Sequence, residues 1–237
     1  MIDINCDVGE GTGNEKELMP FINSANIACG YHAGDAAIMQ QTIQLCLQHA
    51  VHVGAHPSFL DKENFGRTAM QLSAAVVYSL VTEQLKIISA IALECGAALH
   101  HVKPHGALYN MAAVDSALAK VIAQAVKDFD TSLIYYGLSG SVMIAEANKL
   151  GLQTANEVFA DRTYQDDGTL TSRTNPNALL TDMGDIQKQV LKFIKENKVT
   201  TVTGKDIFIK ADTICIHGDA VHAVDVAKAV HKQLHEV

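Results

Sequence analysis

The sequence lacks the features that mark several large classes of protein. Its five cysteines are widely spaced and none forms a C-x-x-C pair, which argues against a disulfide framework or a zinc ribbon. We interpret them as reduced thiols, with Cys6 and Cys29 buried among the apolar residues of strands. The formal net charge is -8, and no cluster of Lys or Arg exceeds that of a solvated helix face, which argues against a nucleic-acid partner.

Targeting and membrane signals are also missing. The N-terminal MIDINCDVGE carries acidic residues where a secretory signal would carry Lys or Arg before an apolar run. No segment approaches about 18 uninterrupted apolar residues, the length that a membrane span needs. We therefore expect a soluble, cytoplasmic protein with no membrane partner.

Two common nucleotide-binding motifs are incomplete or absent. GEGTGNEK, residues 9–16, lacks the third glycine of the dinucleotide-binding fingerprint. No G-x-x-x-x-G-K-[ST] phosphate loop occurs, and we interpret VTGKD around Lys205 as a turn before a strand. Any ATP would then be bound by an unfamiliar site or by a partner.

The chain does contain short apolar runs that alternate with longer stretches of helical periodicity, a pattern typical of β-α units around a parallel sheet. The predicted strands are IDINCDV (2–8), ANIACG (25–30), VHVGAH (51–56), ALHHVKP (98–104), SLIYYGL (132–138), LQTANEVFA (152–160) and DTICIHGD (212–219). The predicted helices cover residues 36–50, 73–96, 115–129, 140–151, 185–198 and 220–237.

Capping residues support these boundaries. Ser73 and Asp115 stand at predicted helix N-caps, and Gly96 and Gly151 stand where helix C-caps belong. We find no linker, low-complexity run or composition break, so the simplest prediction is one domain over residues 1–237.

Polar or ionisable residues follow nearly every predicted strand at its carboxyl end. They are Asn5, Asp7, Tyr31, His32, Asp35, His56, Lys103, His105, Glu157, Asp161, Arg162, His217 and Asp219. In parallel α/β folds the loops after the strands build the active site. Because six strand ends behave alike, we expect these side chains to meet in one site, although a single histidine could equally be a core residue. The other histidines, at 49, 52, 100, 101, 222, 231 and 235, are interpreted as surface or packing residues.

The residue types leave two chemistries open. Asp7, His32, His56, His105 and Asp161 together are the right residue types for a divalent-metal site or, equally, for general acid–base catalysis, because no H-E-x-x-H pair fixes the ligand spacing. Lys103 could hold a substrate anion or stabilise an oxyanion, or it could pair with a neighbouring acid for structural reasons.

A long segment from Phe159, FADRTYQDDGTLTSRTNPNALLTD, has no clear periodicity and contains Arg162 and Arg173. Long connections in compact domains are commonly lids or binding loops. We weigh a lid role for the two arginines equally against a role in surface structure.

At these clusters the sequence resembles a known family. INCDVGEG, SANIACGYHAGD, GAHPSF followed by FGR, HVKPHGALYN, GLSGS, EVFADRTYQDDG and ICIHGD closely resemble, in order and over nearly the whole chain, the motifs of the LamB/YcsF family, the family of the A subunit of 5-oxoprolinase. Departures are small: Tyr31 stands where Phe is usual, DKEN precedes FGR, and Asn177 replaces a common Gly.

The resemblance implies a distorted (β/α)7 TIM-like barrel of the glycoside hydrolase/deacetylase type. It also implies a subunit of an ATP-dependent 5-oxoprolinase that hydrolyses 5-oxo-L-proline (pyroglutamate) to L-glutamate, converting ATP to ADP and phosphate, together with two other subunits, B and C. ATP would be bound by those subunits or shared with them, and a divalent metal is a further candidate cofactor.

Site roles can be written on this basis. The candidate catalytic residues are Asp7, His32, His56, Lys103 and His105, and Asp7, His32 and His56 are also the candidate metal ligands. The candidate substrate-binding residues are Asn5, Asp35, Glu157, Asp161, Arg162, His217 and Asp219.

Two other classes of function stay open. The chain could be a stand-alone metal-dependent amide hydrolase or deacetylase acting on a carbohydrate-like substrate. It could also be a non-catalytic regulatory subunit, in which the ionisable residues at the strand ends would be a relic of an ancestral active site. Self-association is a further possibility, because the terminal helix carries runs of Ala and Val that could pack against a neighbour or against the barrel itself.

Overall fold

The computed structural model describes residues 2–220 and 222–236, and it contains nine strands and eight α-helices in those ranges. The strands are β1 Asp3–Val8, β2 Ser24–Ala28, β3 His52–His56, β4 His101–Val102, β5 Ile134–Leu138, β6 Gln153–Phe159, β7 Lys198–Thr200, β8 Asp206–Phe208 and β9 Thr213–His217. The helices are α1 Glu15–Leu18, α2 Ala36–His49, α3 Ala74–Glu94, α4 Gly106–Ala112, α5 Ser116–Phe129, α6 Val142–Lys149, α7 Met183–Glu196 and α8 Ala223–Glu236.

Seven of the strands form a closed parallel barrel. β1 to β6 pair in chain order, and β9 closes the barrel between β6 and β1. Each of the seven predicted strands overlaps one barrel strand, so the predicted (β/α)7 barrel is confirmed. Because all seven run in the same direction, their carboxyl ends meet at one mouth.

The largest boundary difference is at β4. The sequence predicts a strand over 98–104, but only His101 and Val102 pair with both neighbouring strands. Pro104 has no N–H to offer, so the ladder ends immediately before it.

The helix predictions are confirmed together with their caps. Ser73 accepts a hydrogen bond from Val76 N, and Asp115 accepts from Ala117 N and Leu118 N. Gly96 and Gly151 adopt left-handed backbone just after α3 and α6. Three elements were not predicted, the short helices α1 and α4 and the antiparallel hairpin of β7 and β8, because they are too short to show a period. The turn expected at VTGKD joins the two strands of that hairpin.

The interior of the barrel is polar. Asn26 Nδ2 donates to Asn5 Oδ1 at 2.7 Å, and Asn5 Nδ2 donates to Thr213 Oγ1 at 2.7 Å. His101, interpreted from sequence as a packing or surface residue, is fully buried inside the barrel, where its Nε2 lies 2.8 Å from Asn26 Oδ1. The apolar core therefore lies between the strands and the surrounding helices, and the barrel interior is left for polar chemistry.

By length and apolar composition, α3 is long enough to cross a membrane, and it is the one such helix in the described residues. This is weak evidence, because helices packed in a protein core meet the same criterion. Here the helix packs on α5, and Gln84 within it exchanges two hydrogen bonds with the backbone of Ser58.

The single-domain prediction for 1–237 stays a prediction, and Met1, Val221 and Val237 lie outside the described residues.

Candidate active site

A cavity of about 600 Å³ opens at the carboxyl mouth of the barrel. Its floor and walls include Asp7, Glu10, His56, Lys103, His105 and His217. Charged residues Arg67, Arg162, Arg173 and Asp219 also line it. The prediction that ionisable strand ends meet in one place is therefore correct for much of the set.

A buried ion pair lies on the cavity floor. Lys103 Nζ, on the loop after β4, donates to Asp7 Oδ1 on β1 at 2.8 Å, and Asn26 Nδ2 donates to the same oxygen at 2.8 Å. β4 and β1 are not neighbours in the sheet, so this contact crosses the barrel interior. Burial opposes ionisation of Asp7, but His56 and Lys103 outweigh it and hold the pKa of this carboxyl well below its usual range. Asp7 is therefore ionised at neutral pH.

The same ammonium contacts two further groups. Lys103 Nζ lies 2.8 Å from Glu157 Oε1 and 3.0 Å from Cys215 Sγ. Burial disfavours its charge, yet Asp7, Cys215 and Glu157 together raise the pKa of Lys103 well above its usual value. A substrate anion would thus compete with two carboxylates for Lys103, which favours the structural pairing left open from the sequence.

Two histidines face each other beside Asp7. His56 Nε2 lies 2.8 Å from His105 Nδ1 and 3.5 Å from Asp7 Oδ2. The opposite nitrogens contact backbone carbonyls: His56 Nδ1 lies 2.7 Å from Lys103 O, and His105 Nε2 lies 2.9 Å from Phe65 O. Burial, then the proximity of His32, lowers the pKa of His105 well below its usual value.

The Phe65 carbonyl is held in place by an unusual loop. Phe65 has a φ of 56°, in the left-handed region that bulky residues rarely adopt, and Gly66 follows with a φ of 67°. A Cβ on Gly66 would collide with Ser58 Oγ and approach His105 and His32 to 2.9 Å. Only glycine lets this loop come close enough to bring its carbonyl to His105.

Glu10 and His32 complete the cluster. His32 Nε2 lies 3.2 Å from Glu10 Oε1, and the His32 ring stacks on His105 with centroids 3.8 Å apart. Burial, followed by the charge of Asp7, raises the pKa of Glu10 well above its usual value. Burial, then His56, lowers the pKa of His32.

A second imidazole–carboxylate pair lies on another wall. His217 Nδ1 contacts both oxygens of Asp161, at 2.9 and 3.0 Å. Burial would raise the pKa of Asp161, but His217 outweighs it and lowers that pKa. A carboxylate can only accept, so Nδ1 carries the proton, and the pair fixes the orientation of the ring at the cavity.

The cationic side chains are used differently from one another. Arg67 pairs with Asp219 at 2.7 Å, which joins the loop after β3 to the segment after β9. Arg162 is buried, and its guanidinium donates to the carbonyls of Thr171 and Ala178. Arg162 therefore anchors the long segment, whereas Arg173 on that segment is exposed and lines the cavity. A lid movement stays a prediction.

Four of the predicted binding residues do not line the cavity. Asp35 is exposed, and its carboxylate caps α2 by accepting from Ile38 N at 2.9 Å, so it is a capping residue. Asn5 is fully buried below the floor, with its amide engaged by Thr213, Asn26 and Lys103. Glu157 and Asp161 lie behind the cavity wall, where Glu157 contacts Lys103 and Asp161 contacts His217.

The predicted ligand set Asp7, His32 and His56 is not the one that the structure groups. Glu10, His32, His56 and His105 each offer one atom within 4.8 Å of the others, whereas Asp7 groups with Cys215 and His217. Glu10, within GEGTG, is not among the residues predicted from the sequence. The sequence signal that points to it is its position two residues after the end of β1.

The whole chain matches one family model. Residues 2–237 match the model described as the LamB/YcsF family. The chain belongs to the LamB/YcsF family. Among its relatives, the protein named as the A subunit of 5-oxoprolinase from Shouchella clausii (strain KSM-K16) is 53% identical over 98% of this chain and 94% of its own length.

Solved structures agree with the family and with the fold. The lactam utilization protein from Thermus thermophilus has a TM-score of 0.91 and 40% identity, covering 99% of this chain and 96% of its own. A family 4 carbohydrate esterase from Streptomyces lividans has a TM-score of 0.53 at 12% identity, covering 99% of this chain and 88% of its own. At that identity the likeness shows the fold alone, and that esterase shares the barrel architecture of this LamB/YcsF member.

Proposed function

We propose that this chain is the ring-opening subunit of an ATP-dependent 5-oxoprolinase, which converts 5-oxo-L-proline to L-glutamate. The observation that carries the proposal is the 53% identity, over nearly the whole chain, to a protein named as the A subunit of 5-oxoprolinase. The structural neighbour named a lactam utilization protein supports the same substrate class. The acid and base groups around the cavity match the chemistry that opening a lactam requires.

A five-membered lactam is a resonance-stabilised amide that water attacks slowly. Transfer of a phosphoryl group from ATP to its oxygen makes the ring carbon electrophilic. The adduct formed with water can then lose either phosphate, which restores the lactam, or the ring nitrogen, which opens the ring and leaves an acyl phosphate. A second water hydrolyses that acyl phosphate to glutamate and phosphate. The site must therefore deprotonate water and protonate the ring nitrogen.

Asp7 is the proposed base. Its Oδ1 is occupied by donors from Lys103 and Asn26, whereas Oδ2 accepts no hydrogen bond within the described residues, and His56 Nε2 lies 3.5 Å from it. Oδ2 is therefore the oxygen left to accept a proton from water. In this proposal Lys103 keeps the carboxylate charged and correctly oriented.

His217 is the proposed acid, and this revises its expected role in substrate binding. Asp161 accepts from Nδ1, so Nε2 is the nitrogen available to transfer a proton. An imidazole oriented by a buried carboxylate can donate to the departing ring nitrogen and recover its proton from the next water.

Substrate anions would be bound at the rim. Arg173 is exposed and lines the cavity, and Arg67 lines it with its side chain 39% exposed. We assign the substrate carboxylate and the departing phosphate to these two residues, because Lys103 and Arg162 already have buried partners. ATP itself would be bound by subunits B and C or shared with them, and a cytoplasmic location is part of the same proposal.

The test measures glutamate formation from pyroglutamate and ATP with this chain alone, with the partner subunits alone, and with the mixture. We expect only the mixture to form glutamate. We also expect the His217→Asn variant to lose glutamate formation while its complex still assembles and consumes ATP. Unchanged turnover in that variant would remove His217 from the mechanism.

A stand-alone amide hydrolase is the second candidate, and the group of three histidines and Glu10 favours it. Hydrolysis of simple amides or acetylated sugars by the isolated chain, with an inert mixture, would replace the proposal by this one. A regulatory role would be indicated if variants in the cavity changed assembly and left turnover intact.

A further inference from the structure

We propose that Glu10, His32, His56 and His105 bind one divalent transition-metal ion of the zinc class. One ligand atom from each residue lies within 4.8 Å of the others, and the three histidines are buried. The Glu10 carboxylate is 2% exposed. The residues come from loops or strand ends after β1, β2, β3 and β4, so a single ion would join four consecutive barrel strands.

The first argument is the direction of the imidazole protons. A backbone carbonyl only accepts, so His56 carries its proton on Nδ1 toward Lys103 O, and His105 carries its proton on Nε2 toward Phe65 O. The two remaining nitrogens, His56 Nε2 and His105 Nδ1, then face each other at 2.8 Å as lone pairs. Two facing acceptors repel unless a shared proton or a metal ion lies between or beside them.

The contacts of His56 and His105 with backbone carbonyls are of the kind that metal-binding histidines make through the nitrogen that does not bind the metal. A ligating imidazole almost always donates its other N–H to a carbonyl or carboxylate, which fixes the tautomer. For His105 the acceptor is the carbonyl of Phe65, whose φ of 56° is unfavourable. The loop thus holds a strained backbone in the position that directs the His105 lone pair toward the cluster.

The second argument is the spacing of the other candidate ligand atoms. His32 is buried, and its Nε2 lies 3.2 Å from Glu10 Oε1. Glu10 Oε1 also lies 3.7 Å from His105 Nδ1. Ligand atoms around one ion with bonds of about 2.0–2.2 Å lie roughly 3–3.5 Å apart, close to these spacings.

The donor set selects the class of ion. Three imidazole nitrogens and one carboxylate oxygen suit Zn²⁺, Co²⁺, Fe²⁺ or Ni²⁺, whereas Mg²⁺ and Ca²⁺ prefer oxygen ligands throughout. The other group of possible ligands, Asp7 with Cys215 and His217, is a poor cation site. Lys103 Nζ lies 2.8 Å from Asp7 and 3.0 Å from Cys215, so its charge would repel an ion there.

The binding of the ion is independent of the reaction, but its use rests on the proposed function. His56 Nε2 lies 3.5 Å from Asp7 Oδ2, so an ion held by this cluster would supply Lewis acidity close to the proposed base.

Metal binding can be measured without ATP, pyroglutamate or partner chains, so its failure would leave the proposed function standing. The chelator-treated full chain is loaded with Zn²⁺ or Co²⁺, dialysed and analysed for bound metal. Visible absorption of the Co²⁺ form reports nitrogen and oxygen ligation. We expect one ion per chain and a rise in melting temperature on loading, because the ion binds only the folded state.

The variants Glu10→Gln and His105→Ala identify the ligands. We expect each to weaken Zn²⁺ binding by more than about 100-fold, the upper end of losses caused by changes outside the ligand shell. His52→Ala is the matched control, because His52 is an exposed histidine at the start of β3, at the opposite end of the barrel. Glu10→Gln keeps the size of the side chain, so its folding can be checked by circular dichroism.

Two results would overturn the proposal. The first is a folded wild-type chain that retains no stoichiometric ion and gives the Co²⁺ spectrum of the free aqueous ion. The second is a Glu10→Gln variant that binds Zn²⁺ as tightly as the His52→Ala control. If a histidine variant fails to fold, the wild-type stoichiometry and the Co²⁺ spectrum still decide the question.

Discussion

Each end of the barrel carries a group of three neighbouring histidines, and the two groups are built in different ways; His217 lies on another wall of the mouth. At the mouth, His32, His56 and His105 surround a buried point with Glu10. At the amino end, the rings of His52 and His100 stack with centroids 4.0 Å apart, and His101 turns inward to Asn26. At the amino end only one pair of ring nitrogens approaches, His100 Nδ1 and His101 Nδ1 at 3.3 Å, whereas at the mouth nitrogens of all three rings lie together with a carboxylate oxygen.

The difference lies in what each ring nitrogen meets. At the mouth, backbone carbonyls take the protons of His56 and His105 and leave their lone pairs facing each other. At the amino end, His101 Nε2 is satisfied by Asn26, and the ring stacks on Tyr136 at 4.2 Å. A cluster of histidines becomes a site through the direction of its nitrogens, and the same residue type is otherwise a packing residue.

The largest effect is expected at the mouth. Asp7→Asn keeps the shape of the side chain and removes the proposed base, so kcat/KM for glutamate formation by the reconstituted mixture should fall by about 10²–10⁴-fold. Asp35→Asn, at a helix cap outside the cavity, is the control and should stay within a few-fold of wild type. An Asp7→Asn complex that is assembled and active at the wild-type rate would break the comparison.

At the amino end the expected effect is on stability. A Cβ at Gly54 would overlap the His101 ring inside the barrel. Gly54→Ala should therefore lower the free energy of unfolding by about 1–3 kcal/mol, the range for overpacked cores, as measured by urea denaturation.

The double variant Gly54→Ala, His101→Ala tests the cause of that loss. In the absence of the His101 ring, the Gly54→Ala substitution should lower the free energy of unfolding by less than it does alone, because the two sites are in contact. Strictly additive losses would mean that the overlap with His101 is not the reason.

The Asp161–His217 pair gives a prediction with a pH sign. The pKa of Asp161 is lowered in the folded state, so the pair stabilises above the ordinary carboxyl pKa and this contribution is lost as the pH falls through the lowered pKa. Asp161→Asn should lower the free energy of unfolding by about 1–2 kcal/mol at pH 7. The difference in the free energy of unfolding between wild type and Asp161→Asn should become smaller at pH 3. A difference that grows in acid would contradict the assignment.

The smallest effect is expected from the exposed stack. His52→Ala removes one ring of the His52–His100 pair and should lower the free energy of unfolding by no more than about 1 kcal/mol. Glutamate formation and Zn²⁺ binding should be unchanged. A loss of either would show that the amino end contributes to the site, and the contrast between the two clusters would fail.

Much of the site could be predicted from where residues stand along the chain. Asp7, His56, Lys103, His105 and His217 follow strands, and parallel strands bring their ends to one mouth whatever the details of packing. Asp35 also follows a strand, but it is the N-cap of α2. The preference of Asp for N-cap positions is an equally local signal, and it points to capping.

The sequence by itself determined the alternation of strands and helices, which follows from local periodicity. Its contiguous motifs determined the family, and the resemblance to that family implied the closed barrel of seven β-α units. Only the tertiary structure decided which groups pair with Lys103 and that the His101 ring lies inside the barrel. It also decided that Glu10, and not Asp7, is the carboxylate grouped with the three histidines. Such choices depend on the register with which β9 closes against β1 and on the direction of each ring nitrogen. Neither quantity is encoded in the spacing of residues along the chain.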